Sequence, residues 1–137
     1  MQNKILIVED QSKTTDIIST HLEEYGYITE IYHDTDELFS KFKAGAYILM
    51  ILDLELSNTD GLSLYRKIRE MDNNIVIFFL FEARRHCHEI FTLFPIWSFS
   101  NFFYKPIIAR ELIQHVLHSL DLGVEKTESN GRASYSY

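Results

Sequence analysis

Asp53 closes the apolar run Tyr47-Ile48-Leu49-Met50-Ile51-Leu52, an arrangement that is costly unless a strand ends there at the carboxyl edge of a parallel sheet. That edge is where ligands bind in open α/β sheets. Two other segments share the pattern. Glu9-Asp10 closes Lys4-Ile5-Leu6-Ile7-Val8, and Lys105-Pro106 follows Asn101-Phe102-Phe103-Tyr104. Three carboxylates and one lysine at three strand tips suit a divalent metal and a phosphoryl group. Glu9, Asp10 and Asp53 would repel one another without a cation between them. A magnesium ion takes one or two carboxylates together with phosphate oxygens and water. With charge on a phosphoryl donor neutralised, Asp53 becomes a workable nucleophile. Lys105 supplies a compact positive charge for a phosphate oxygen.

Positioning these groups requires strands that alternate with helices. Lys4 to Val8 reads as a buried strand, followed by a helix from the Gln11–Thr14 caps through Tyr25, with Gly26 as its stop. Tyr27 to Tyr32 alternates as a strand nearer the edge, and Asp34-Thr35-Asp36 opens a second helix closed by Gly45. Tyr47 to Leu52 forms the third strand. A loop to Asp60-Gly61 leads into an amphipathic helix ending at Met71, and Ile75 to Phe81 reads as a strand buried on both faces. A fourth helix is expected over Glu82 to Phe94, a fifth strand over Phe99 to Tyr104, and a last helix over Ile108 to Leu122. This is a (βα)5 pattern, a doubly wound five-stranded parallel sheet with helices on both faces. Residues 1–122 form the domain, and the small polar residues of 123–137 read as a flexible tail or the start of a linker.

Composition narrows the class. A chain of 137 residues with 46% hydrophobic and 24% charged residues fits one soluble domain. A net charge of −7 argues against direct nucleic-acid binding, which needs a basic face. Cys87 is the single cysteine and cannot form an internal disulfide, which suits a reducing compartment. The longest apolar run, Ile75 to Phe81, falls well short of the ~20 residues of a membrane span, and the N-terminus carries no secretory pattern. The expectation is a cytoplasmic protein without membrane contact.

The ordered motifs Glu9-Asp10, Asp53 with Asp60-Gly61 behind it, and Lys105-Pro106 resemble the receiver domain of two-component response regulators. The resemblance spans Lys4 to about Leu122. It implies a flavodoxin-like fold with strand order 2-1-3-4-5, and a phosphoryl group accepted by Asp53 from a histidine kinase or phosphotransfer protein. It further implies Mg²⁺ (or Mn²⁺) held by Glu9, Asp10, Asp53 and the backbone carbonyl of Glu55. Lys105 would contact the phosphoryl group, and its peptide to Pro106 would be cis. Phosphorylation would shift the face made by the fourth helix, fifth strand and last helix. That face would act on a downstream protein or fused effector domain, or pair two copies of the chain. Such a protein accepts a phosphoryl group and slowly loses it, without being a turnover enzyme.

The sequence departs from the family pattern along one stretch. Receiver domains usually place Thr or Ser at the end of the fourth strand; here that position falls on Glu82 or Ala83, with Phe81 next, and no Ser or Thr occurs between Ile75 and Phe91. The paired switch aromatic of the fifth strand falls on Phe102, which lacks a hydroxyl. Ser57 replaces a common proline, and Trp97-Ser98 replaces a small pair. An acidic Glu55 that reached the phosphate would alter how an attacking water is oriented. These departures leave open a second reading, a phosphorylation-independent interaction module (pseudo-receiver). A haloacid-dehalogenase-type phosphatase shares the aspartate nucleophile, but it normally has a second aspartate where Glu55 stands. His86-Cys87-His88 reads as a solvated helix surface, because near neighbours on a helix face different ways. The aromatic band Phe91, Phe94, Trp97, Phe99, Phe102 and Phe103 suits either core or an apolar docking face.

Overall fold

Five parallel strands in the order β2-β1-β3-β4-β5 form one sheet in the computed structural model, which describes residues 3–9, 12–56, 61–81 and 101–129, with backbone only at 12 and 121–129. The elements are β1 (Lys4–Val8), α1 (Ser12–Glu24), β2 (Ile28–Tyr32), α2 (Thr35–Lys41), β3 (Leu49–Asp53), α3 (Gly61–Met71), β4 (Val76–Phe81), β5 (Phe102–Tyr104) and α4 (Ala109–Ser129). The doubly wound topology and strand order match the expectation. The helix expected over 82–94, the His86-Cys87-His88 motif, and Phe91, Phe94, Trp97 and Phe99 lie outside the described residues.

The continuous apolar strands are explained by burial on both faces. Successive side chains point to opposite sides, so Leu6, Val8, Met50, Leu52, Phe79 and Phe81 pack with Leu38 of α2 and Leu62, Tyr65 and Ile68 of α3. Ile5, Ile7, Leu49, Ile51, Phe78 and Leu80 pack on the other side against Ile18 and Leu22 of α1 and Leu112, Ile113 and Val116 of α4. At about 1.5–3 kcal/mol per fully buried large side chain, these two layers dominate the favourable energy of the fold. Phe102 joins the first layer, stacked on Phe79 at 4.8 Å, and Phe103 the second, 5.2 Å from Phe78. Both rings are partly buried and pack against these layers.

Local chemistry sets the helix boundaries. Asp34 caps α2, its carboxylate accepting from the Asp36 N–H at 2.9 Å. Gly26 terminates α1 at φ +91°, a left-handed conformation that glycine adopts without a side-chain penalty. α4 runs to Ser129, although the sequence reading begins a flexible tail at 123. Gly123 is a weak breaker, costing about 1 kcal/mol, and Val124 to Glu128 contains no proline.

Two contacts tie the loops to the sheet. Asp72 accepts from the backbone N–H groups of Gly45 at 2.9 Å, Asn74 at 2.9 Å and Ile75 at 3.2 Å. Burial pushes its pKa up, but these bonds and the nearby Arg69 outweigh burial and hold it below the usual carboxylate value. Gly61 starts α3 hard against the chain beyond β3, where a Cβ would lie 2.4 Å from Leu54 Cα and 2.7 Å from Leu54 O. Backbone cannot yield as a side chain would.

Gly61→Ala is therefore expected to destabilise the protein by about 1–3 kcal/mol, read as a lower urea midpoint at unchanged slope. Asp72→Asn should cost about 1–3 kcal/mol at neutral pH, since hydrogen bonds to a charged acceptor are lost. A depressed folded-state pKa contributes stability above the unfolded pKa, lost as pH falls through the folded one. Denaturation at a series of pH values should therefore show a constant gap between Asp72→Asn and wild type near neutrality. The gap should close in acid, below the ordinary carboxylate range.

Candidate functional site

Strand parity brings the charged residues together. Ile7, Ile51 and Phe103 face the α1/α4 side of the sheet, so Glu9, Asp53 and Lys105, each two residues further on, continue toward that side. Register aligns the strand ends: Val8 pairs with Leu52, setting Glu9 beside Asp53, and Asp53 pairs with Leu80. The Lys105 N–H donates to Phe81 O at 2.8 Å, so the ladder between β4 and β5 carries Lys105 to the same rim. The Lys105-Pro106 peptide is cis.

At that rim, Lys105 Nζ donates to Asp53 Oδ1 at 2.8 Å and to Glu55 Oε1 at 3.0 Å. The ammonium thus bridges β3 and β5 across the tip of β4. Its side chain is 19% exposed, against 1% for Asp53 and 10% for Glu55, so the ion pairs are sheltered from solvent. Burial alone would pull the Lys105 pKa down. The hydrogen bonds and charges of Asp53 and Glu55 outweigh it and hold the ammonium above the usual lysine value. Asp53 Oδ1 also accepts from the Glu55 N–H at 2.9 Å, fixing the turn that leaves β3.

Glu9, like Asp53, is 1% exposed, and its carbonyl accepts a hydrogen bond from His33 Nδ1. Two buried carboxylates side by side are hard oxygen donors, the donor chemistry of a magnesium or calcium site. Among the described residues no cluster of three or more His, Cys, Asp or Glu side chains is arranged to hold a metal. Asp10, expected to complete the set, lies outside those residues, as do the switch candidates Glu82 and Ala83. Phe102 is described, held between Phe79 and an edge-on Phe81 at 5.8 Å.

One residue, His33, is absent from the sequence expectations, and one has a different partner: the Glu55 side chain, expected to act on an attacking water if it reached the phosphate, binds Lys105. His33 follows the β2 run and lies beside Glu9 by the Val8–Tyr32 register. The rule that selected Asp53, a polar residue closing a strand, would have found it too.

Among the described residues, no helix is long and apolar enough to cross a membrane. The response regulator receiver domain family matches residues 5–117. The transcriptional regulatory protein YkoG of Bacillus subtilis is 31% identical over 127 residues, 93% of this chain and 55% of that protein. This chain thus spans about half the length of that relative. A CheY-like receiver domain protein from Methanospirillum hungatei superposes with a TM-score of 0.76 at 22% identity, over 92% of this chain and 99% of that one. A response regulator of Burkholderia pseudomallei, carrying a phosphorylated aspartic acid and a calcium ion, superposes with a TM-score of 0.68 at 18% identity, over 97% of this chain and 78% of that one. With its strand order, its rim of charges and this match, the chain belongs to the response regulator receiver domains, the phosphoacceptor signalling modules of two-component systems.

Proposed function

We propose that Asp53 is the phosphoacceptor, that Glu9, Asp10, Asp53 and the Glu55 carbonyl hold Mg²⁺ (or Mn²⁺), and that Lys105 binds the transferred phosphoryl group. The observation that carries this reading is the 2.8 Å bond from Lys105 Nζ to Asp53 Oδ1, made between side chains from two different strands. Mg²⁺, when bound, neutralises phosphoryl charge and orients its oxygens. Asp53 attacks phosphorus through a carboxylate oxygen while the P–N bond of the donor phosphohistidine breaks. The imidazole leaves neutral when its other ring nitrogen is protonated. Lys105 has three N–H donors; among the described residues two go to Asp53 and Glu55, and the third would serve a phosphoryl oxygen.

The donor would be a histidine kinase or phosphotransfer protein. YkoG is a transcriptional regulatory protein in which this chain's match covers 55% of the length, which supports output through a fused effector domain or a separate downstream protein. The output surface would be the face built from the segment after β4, β5 and α4, where Tyr104 and Ile108 are exposed. That face could also pair two copies of the chain. No Ser or Thr stands between Ile75 and Phe91, so the phosphoryl group lacks a hydroxyl partner from that segment, and coupling to the face should be weaker than in a receiver that has one.

Incubation with a small phosphodonor and Mg²⁺ should add one phosphoryl mass to Asp53. Asp53→Asn should take none, and a chelator should abolish the gain. No gain on the wild-type protein, under conditions that label an ordinary receiver, would instead support the phosphorylation-independent module. Lys105→Ala should slow labelling by about 10–100-fold, the loss of one hydrogen bond to a charged group in the transition state. Equal rates for Lys105→Ala and wild type would remove Lys105 from the chemistry.

A further inference from the structure

We propose that Glu55 is a positioning residue that tethers Lys105 at the site when Asp53 becomes phosphorylated. This rests on the phosphoacceptor reading of Asp53. In the unphosphorylated site Lys105 is held by two carboxylates, Asp53 at 2.8 Å and Glu55 at 3.0 Å. Phosphorylation changes only one of them. Bond formation from Asp53 to phosphorus turns its carboxylate into a mixed anhydride, so neither of its original oxygens keeps the negative charge that attracts the ammonium. Glu55 is untouched by the reaction and remains an anion beside Nζ.

Lysine carries its charge on a flexible four-carbon stem, whose ordering costs rotamer entropy. Lys105 stands at the rim of the sheet with 19% of its side chain exposed, so a route to solvent is open to it. A second carboxylate at 10% exposure keeps the ammonium over the tip of β4, with a donor directed at the phosphoryl oxygens. The Glu55 N–H already bonds Asp53 Oδ1, so the backbone that carries the tether is itself fixed to the phosphoacceptor. A like charge near an incoming phosphoryl group opposes it, so Glu55 helps only by acting through Lys105. That requirement makes the role testable.

The experiment is a double-mutant cycle on labelling by a small phosphodonor with Mg²⁺. Glu55→Gln, which keeps the shape and removes the charge, should slow Asp53 labelling about tenfold in the wild-type background. In a Lys105→Met background the same change should alter the rate less than twofold or raise it. An equal slowing in both backgrounds, or faster labelling by Glu55→Gln alone, overturns the tether while leaving the phosphoacceptor role standing. No labelling of the wild-type protein overturns both. A second measurement does not depend on phosphorylation: reductive methylation of Lys105, followed by mass, should run severalfold faster in folded Glu55→Gln than in wild type. Unchanged methylation overturns the tether even if labelling slows.

Discussion

The site depends on an ion pair that cannot form within any one segment of the chain. Lys105 follows β5, Asp53 ends β3, and β4 lies between them, so their contact exists only when three parallel strands finish level with one another. Two charges withdrawn from water repay their desolvation only if geometry is good and the remaining lone pairs are satisfied. Here the Lys105 ammonium serves two carboxylates, and Asp53 Oδ1 also receives the Glu55 N–H. Among the described residues of the rim, the carboxylates of Glu9, Asp53 and Glu55 outnumber the one ammonium of Lys105. That excess favours recruiting a cation, and it makes the rim an unsuitable place for a purely structural cap.

The apolar layers explain why such a rim can persist. Residues inside β1, β3 and β4 are buried on both faces, and the helices on either side leave little freedom for a strand to slide. A slip of one residue would exchange the two faces of a strand. It would turn Asp53 toward the α2/α3 layer and away from Lys105. The register that fills the core with Ile, Leu and Phe is therefore the same register that assembles the site, and packing energy holds the charges in place. Gly61 adds a local constraint, bringing the start of α3 onto the chain immediately after β3.

Sequence legibility follows the same physics. The strands are legible because their hydrophobicity is continuous and bounded by charge, and the meeting of Asp53 with Lys105 is legible because an ionisable group ending such a run has few structural excuses. The end of α4 is not, because small polar residues after Leu122 resemble a tail whether or not they stay helical. The Lys105 partner of the Glu55 side chain is not legible either. A carboxylate two residues beyond a strand can point to solvent or into the site, and only the turn fixed by its N–H on Asp53 decides which. His33 escaped because β2 is an edge strand with mixed polarity, so its end carries a weaker signal than those of the buried strands.

The aromatic ladder bears on how phosphorylation at this rim could be read by the rest of the molecule. Phe102 stacks on Phe79 at 4.8 Å with planes 16° apart and meets Phe81 edge-on, while Tyr104 packs on Phe81 at 4.8 Å from the outside. Phe79 and Phe81 are fully buried, so the ladder is anchored in the core. An aromatic pair contributes about 0.5–1.5 kcal/mol beyond its buried area, and Phe102 takes part in at least two such pairs. Drawing Phe102 out of the ladder would forfeit both. A hydroxyl from the segment after β4 could have offset that cost by bonding the phosphoryl group, at about 1.5–3 kcal/mol for a bond to a charged partner. The sequence supplies none between Ile75 and Phe91. Among the described residues, Lys105 links the rim to β4 and to Asp53: its N–H joins Phe81 and its ammonium joins Asp53. On the proposed reading, charge at the rim would be transmitted to β5 through the backbone of the strand that carries the lysine, with Phe102 as a packed neighbour.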